Sequence, residues 1–248
     1  MTEVPTPVPT PPSGFVLLGD QPPLRAPRWG IGAALGLLGA WFALSFGVAF
    51  AALASGPSPS PILIALSAVV PTVLAAFAAV RMARRRGNGA ASDLGLRFSW
   101  AEVGIGMGTG GALVFVIGLL ATIAITFMGD EIPVAAQDVF EALRTNSLAE
   151  IIFFAGMLIV APIGEEILFR GVLYGAIERA WSARWAMLIS SVVFAAAHLE
   201  PERFIILLPL GLALGELRLR RNNLVTTISA HFVINCVAAL GLGLSTIA

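Results

Sequence analysis

The sequence is poor in charged and redox-active residues. It has one cysteine, Cys236, so neither an intramolecular disulfide nor a cysteine-based metal site can form. Lysine is absent, and charged residues make up 12% of the chain, against about 25% in an ordinary soluble domain. The formal net charge is zero, so bulk charge gives no reason to expect a nucleic-acid partner. Only two histidines are present, His198 and His231.

Apolar residues, by contrast, are abundant. They make up 57% of the chain, and the mean hydropathy is +0.89. A helix needs about 20 apolar residues to cross a bilayer. Seven segments reach or approach that length, at roughly 30–54, 61–80, 102–128, 149–174, 183–199, 204–217 and 224–245. The composition therefore predicts an all-α, polytopic transmembrane bundle of about seven helices embedded in the lipid bilayer, with the fifth and sixth helices short.

Arginine placement predicts the orientation of these helices. With the N-terminus in the cytoplasm, only Arg144 and Arg203 of the fifteen arginines lie outside, as the positive-inside rule favours. We therefore expect a multi-pass protein of the cell membrane. The exclusive use of arginine over lysine favours a bacterial source.

The chain divides into three parts. Residues 1–28 are proline-rich and predict a disordered cytoplasmic tail. Residues 29–148 hold the N-terminal transmembrane segments and an outer amphipathic loop. A glycine-rich stretch at 104–111 in this part predicts close helix packing. Residues 149–248 are expected to form the catalytic transmembrane core.

Two adjacent glutamates, Glu165 and Glu166, interrupt the apolar run that begins at Ile151. Ionisable groups at membrane depth cost a few kcal/mol each, so they persist where they are paired, hydrated or functional. His198 and His231 also lie in apolar runs. Counted along the predicted helices, these groups and Asn235 fall within a slab about 12 Å thick. Their common depth indicates a polar site inside the membrane that is accessible from the cytoplasm.

Spacing along each helix refines this picture. Glu166 and Arg170 are four residues apart and share a helix face, so pairing would offset the cost of burying them. Glu165 points about 100° away and is free to face a cavity. Phe194 precedes His198 by four residues and is placed to pack beneath its ring. Glu216 lies beside Arg218, and we expect an exposed ion pair there.

Such residues suit two kinds of hydrolysis. A desolvated glutamate is a better base toward water, a histidine can hold that water, and histidine and asparagine N–H groups can stabilise an oxyanion. Alternatively, Glu165, His198 and His231 form a two-histidine, one-carboxylate set that suits a catalytic zinc. The same side chains can also serve helix packing alone. The residue types leave these alternatives open.

Three motifs occur in order in this region. They are Glu-Glu-x-x-x-Arg at 165–170, Phe-x-x-x-His at 194–198 and His-x-x-x-Asn at 231–235. Together they resemble the CAAX protease and bacteriocin-processing (CPBP, or Abi) family of intramembrane proteases, over about residues 150–245. The turn at 220–224 departs from the Thr-Gly-Ser-Leu that relatives often have.

The resemblance implies a role for each matching residue. Glu165 would be the general base for water, His198 would bind that water, and His231 and Asn235 would form the oxyanion site. The supporting residues would be Glu166, Arg170 and Phe194. The implied function is an intramembrane endopeptidase acting on a membrane-embedded or lipidated peptide. We favour a mechanism that requires no cofactor, with zinc as the alternative for catalysis. The alternative function is a non-proteolytic membrane scaffold or bacteriocin-immunity-type protein with the same fold.

Overall fold

A computed structural model describes residues 25–54, 56, 60–128 and 135–245 of the chain. Within these residues the protein is helical throughout, with no β-strand, which confirms the predicted all-α class. The main helices are α1 (Ile31–Ala54), α2 (Pro61–Arg86), α3 (Trp100–Met128), α4 (Ala135–Leu143), α5 (Ser147–Ala180), α6 (Ala183–Ala197), α7 (Phe204–Arg221) and α8 (Leu224–Ser245).

The protein is a multi-pass membrane protein. Helices α1, α2, α3, α5 and α8 are long and apolar enough to cross a membrane, and α6 is a shorter apolar helix. Their outward faces carry exposed apolar side chains such as Phe50, Phe115 and Leu240, which suit contact with lipid. All seven predicted segments are helical, but α7 is not among the candidate spans. Seven crossings and a cytoplasmic N-terminus therefore stay predictions.

Two predicted regions fall partly outside the described residues. These are most of the proline-rich tail at 1–28 and positions 129–134 of the outer loop. The rest of that loop contains α4, in which Phe140 and Leu143 are buried while Glu141 is exposed. The predicted amphipathic loop thus contains a short helix with one buried and one exposed face.

The arginine-rich helix ends meet at one side of the bundle. Arg28 N donates to Arg86 O at 2.6 Å, which joins the start of α1 to the end of α2. Arg221 Nε donates to Glu102 Oε2 at 3.2 Å, which joins the end of α7 to the start of α3. The α7–α8 turn is closed by Asn222 in the left-handed conformation, at φ 48°, a geometry that asparagine tolerates. The alternating topology inferred from arginine placement is consistent with these contacts.

Helix α5 is irregular on both sides of Glu165. The stretches Gly156–Val160 and Glu166–Leu173 are π-helical, with hydrogen bonds formed five residues apart. Pro162 lies between them and has no N–H to donate. The local register therefore changes before and after the glutamate pair.

Glycines allow three of the helix pairs around the site to approach closely. On α3, a Cβ at Gly110 would lie 2.6 Å from Ala230 O of α8, and one at Gly106 would clash with the α8 backbone. On α7, a Cβ at Gly211 would lie 3.0 Å from Ser191 O of α6. Gly164 of α5 packs in the same way against Thr72 of α2. Close packing was expected for the glycine-rich stretch of α3, and two of its five glycines provide it.

We expect Gly110→Ala to lower the thermal unfolding midpoint in detergent by several degrees, because overpacking a fitted contact costs about 1–3 kcal/mol. The matched control is Gly108→Ala, since a Cβ there meets nothing within 4 Å and alanine favours a helix. Differential scanning fluorimetry compares the two variants. Equal midpoints would show that the α3–α8 contact is looser than described.

Candidate active site

Glu166 and Arg170 form a wholly buried ion pair on α5. Arg170 Nη1 lies 2.9 Å from Glu166 Oε1, and both side chains are 0% exposed. Arg170 Nη2 donates to Gly211 O at 3.0 Å, which ties α5 to α7. Four-residue spacing on a helix allows this pairing, and the second bond uses more of the guanidinium's donors. The pair neutralises two charges that would otherwise be very costly at this depth.

His231 of α8 lies between the two glutamates. Its Nδ1 is 3.2 Å from Glu166 Oε1, and its Nε2 is 3.8 Å from Glu165 Oε2. A carboxylate accepts hydrogen bonds, so Glu166 favours a proton on Nδ1 and directs Nε2 toward Glu165. Glu166 therefore orients the imidazole, and Glu165 is the carboxylate beside its free edge.

The two glutamates differ in exposure. The side chain of Glu165 is 16% exposed, while that of Glu166 is fully buried and paired. One residue of rotation on the helix separates them, as the sequence predicts. Glu165 is consequently the carboxylate of the pair that the protein does not fully enclose.

Phe194 of α6 joins the histidines. Its ring centroid is 4.9 Å from that of His198 and 5.8 Å from that of His231, both edge-on. The Arg170 guanidinium lies 4.3 Å from the centroid of the Phe194 ring. The phenyl ring thus packs beneath His198, as its spacing indicates, and it also contacts the residues around Glu166.

His198 ends α6 and is partly buried. Its Nδ1 lies 2.9 Å from Phe194 O. A carbonyl oxygen can only accept, so the hydrogen is on Nδ1, and Nε2 of the neutral ring is an acceptor. Leu199 follows with φ 56°, a conformation that is rare for a branched residue, and turns the chain away from α6. His198 therefore offers a free ring nitrogen at a helix end.

Asn235 is bonded to the backbone of α5. Its Nδ2 donates to Met157 O of α5 at 2.9 Å, two turns before Glu165. The sequence predicts that Asn235 and His231 share one space, but the structure directs His231 to the glutamates and Asn235 to a backbone carbonyl.

The zinc alternative needs Glu165, His198 and His231 as one ligand group. Among the described residues, no three histidine, cysteine, aspartate or glutamate side chains form a group able to hold a metal ion. The residues present therefore do not fit a three-ligand zinc site in this conformation.

Arg218 is a buried member of this region that sequence reasoning missed. Its Nε donates to Arg170 O at 3.1 Å, and its guanidinium lies 5.2 Å from the Tyr174 ring centroid. The expected exposed pair with Glu216 is wrong, because Glu216 bonds to Arg220 at 2.6 Å instead. The signal was available, since position 218 follows buried Gly211 and Leu214 at helical spacing.

A cavity of about 240 Å³ lies beside the site, between α3, α5 and α8. Its lining includes Pro162 and Ile163 of α5 and Phe232 of α8, which are sequence neighbours of Glu165 and His231. The four residues predicted to be catalytic do not themselves line it. This cavity therefore adjoins the predicted catalytic residues without containing them.

Comparison with known proteins shows which family this region resembles. Residues 147–237 match the family described as Type II CAAX prenyl endopeptidase Rce1-like. A protein of Bacillus subtilis (strain 168), described as "Putative membrane peptidase YdiL", is 28% identical over 152 residues. That alignment covers 60% of this chain and 57% of the B. subtilis protein, so the chain matches little more than half of its relative. No solved structure is significantly similar.

The family match extends from the first residue of α5 to just past Asn235. It includes all three motifs and the contacts that join α5, α6 and α8 around Glu166. This part of the chain is therefore similar to the CAAX protease and bacteriocin-processing family.

Proposed function

We propose that this protein is an intramembrane endopeptidase in which Glu165 activates water. The observation that carries the proposal is the contrast between the two glutamates. Glu166 is fully buried, paired and bonded to His231, whereas Glu165 is partly exposed and 3.8 Å from the same ring. A base must reach water, and its neighbours must be held in place. The family that residues 147–237 match is described as a prenyl endopeptidase family, which supports the proposal.

The proposed reaction has two steps. Glu165 accepts a proton from water while the water oxygen attacks the peptide carbonyl carbon. His198 accepts a hydrogen bond from this water through Nε2. When His231 carries both ring protons, its Nε2–H donates to the oxyanion. Glu165 then returns its proton to the leaving nitrogen as the C–N bond breaks.

The proposed substrate is a membrane-embedded or lipidated peptide. The site lies on membrane-crossing helices, and the adjacent cavity has a largely apolar lining, which suits a chain that comes from the bilayer. The arginine-rich side of the bundle supports an active site accessible from the cytoplasm in a bacterial cell membrane.

Glu165→Gln is expected to reduce cleavage by about 10²–10⁴-fold, because the amide cannot accept the proton from water. The assay follows a quenched fluorescent peptide with a lipid anchor in proteoliposomes of the purified chain. Glu150→Gln, on the same helix about four turns away, is the matched control and should cleave at the parent rate. Undiminished cleavage by Glu165→Gln would falsify the base assignment.

Chelation should leave cleavage unchanged within about twofold. This expectation rests on the absence, among the described residues, of a three-ligand group. The measurement is turnover after 1,10-phenanthroline and EDTA, together with elemental analysis of the purified protein. One zinc per chain with chelator-sensitive, zinc-restored turnover would instead support the metal alternative.

A second function is favoured by a different observation. His198 and Asn235 both bond to backbone carbonyls, as they would in a non-proteolytic scaffold or immunity-type protein whose polar groups serve packing. In that case the wild-type chain cleaves neither lipidated nor unmodified peptides, and Glu165→Gln changes nothing.

A further inference from the structure

The carbonyl of Met157 lacks its usual partners in helix α5. The N–H of Ala161 donates to Gly156 O, five residues back, rather than to Met157. The same five-residue register would give Met157 O the N–H of residue 162, but that residue is proline. A backbone carbonyl inside a membrane bundle therefore needs another donor, because no bulk water is there to supply one.

Asn235 supplies that donor from α8. Its Nδ2 lies 2.9 Å from Met157 O. Asn235 is one turn beyond His231 on the same helix, and Nδ1 of His231 lies 3.2 Å from Glu166. Helix α8 thus makes polar contacts with α5 on both sides of the Pro162 interruption.

The second π-helical stretch, Glu166–Leu173, also has a backbone carbonyl that accepts a hydrogen bond from another helix. The N–H of Tyr174 donates to Gly171 O and Phe169 O, and so bypasses Arg170 O. Arg218 of α7 donates to that carbonyl through Nε at 3.1 Å. A side chain from another helix therefore binds a displaced carbonyl on each side of Glu165.

We propose that Asn235 is a positioning residue. Its amide bonds to Met157 O in place of the N–H that Pro162 lacks, and this holds α5 in the conformation that keeps Glu165 beside His231. This inference rests on the proposed function for its catalytic consequence. It differs from the oxyanion role implied by the family motif, in which the amide contacts the substrate. Among the described residues, the side-chain amide of Asn235 donates to the α5 backbone, at a carbonyl that the local register leaves unbonded.

The two roles predict different couplings with Pro162. Alanine at position 162 restores an N–H five residues after Met157, where it can donate to Met157 O. If Asn235 only positions α5, its amide is then no longer needed. An oxyanion donor remains necessary whichever residue occupies that position. A double-mutant cycle of Pro162→Ala and Asn235→Ala separates these cases.

In the wild-type background, Asn235→Ala should lower turnover by up to about 10²-fold, the loss expected from misplacing a catalytic group by about 1 Å. In the Pro162→Ala background the same change should lower turnover less than about threefold relative to that single variant, with KM unchanged. Equal losses in both backgrounds would overturn the positioning role and leave the endopeptidase proposal standing.

Thermal unfolding of the same four proteins gives a readout that needs no catalysis. We expect Asn235→Ala to lower the midpoint by about 2–4 °C when Pro162 is present, as for one lost hydrogen bond, and by less than about 1 °C in the Pro162→Ala background. If the wild type cleaves nothing, the function fails while this cycle still tests the Asn235–Pro162 coupling. Additive shifts in the midpoint would refute that coupling.

Pro209→Ala is the matched control, because it removes an intrahelical proline from α7 instead of α5. Its effect should add to that of Asn235→Ala without coupling. If Asn235→Ala is recovered folded only together with Pro162→Ala, that rescue supports the proposal. If Asn235→Ala cannot be recovered folded in either background, Asn235→Ser replaces it in the cycle. Equal losses of turnover for Asn235→Ser with and without Pro162 would count against the proposal.

Discussion

The buried ion pair between Glu166 and Arg170 is the interaction on which the site depends. Neither side chain has any exposed surface, and each has a further partner, His231 for the glutamate and Gly211 O for the arginine. Removal of one partner from such a pair leaves an uncompensated charge, which typically costs about 3–5 kcal/mol. Helices α5, α7 and α8 are therefore held in one arrangement, and that arrangement places Glu165 beside the imidazole.

The irregular hydrogen bonding of α5 allows its backbone to bond to neighbouring helices on both sides of Glu165. A regular α-helix satisfies its interior carbonyls internally, so its middle can bind neighbouring helices only through side chains. The π-helical turns before and after Glu165 direct backbone carbonyls toward Asn235 and Arg218 instead. Strain and displaced hydrogen bonds of this kind are frequent at functional sites, because surrounding contacts must compensate for them.

Small residues let the surrounding helices reach these polar groups. Gly110 brings α3 against the backbone of α8 near His231, and Gly211 brings α7 against α6 near Phe194. In a membrane, association gains little from apolar burial, so close backbone approach and buried polar bonds carry more of the stability. The close helix contacts that stabilise the bundle therefore lie next to the polar residues of the site.

The membrane class, the long apolar helices and the pairing of Glu166 with Arg170 were all predictable from the amino-acid sequence. Composition and helical spacing are local properties, and they do not depend on distant neighbours. Three further features required the packed helices to be seen: His231 lies between the two glutamates, Asn235 binds Met157 O, and Arg218 is buried. Those outcomes depend on helix rotation and on the hydrogen-bond register of α5, which sequence periodicity does not specify.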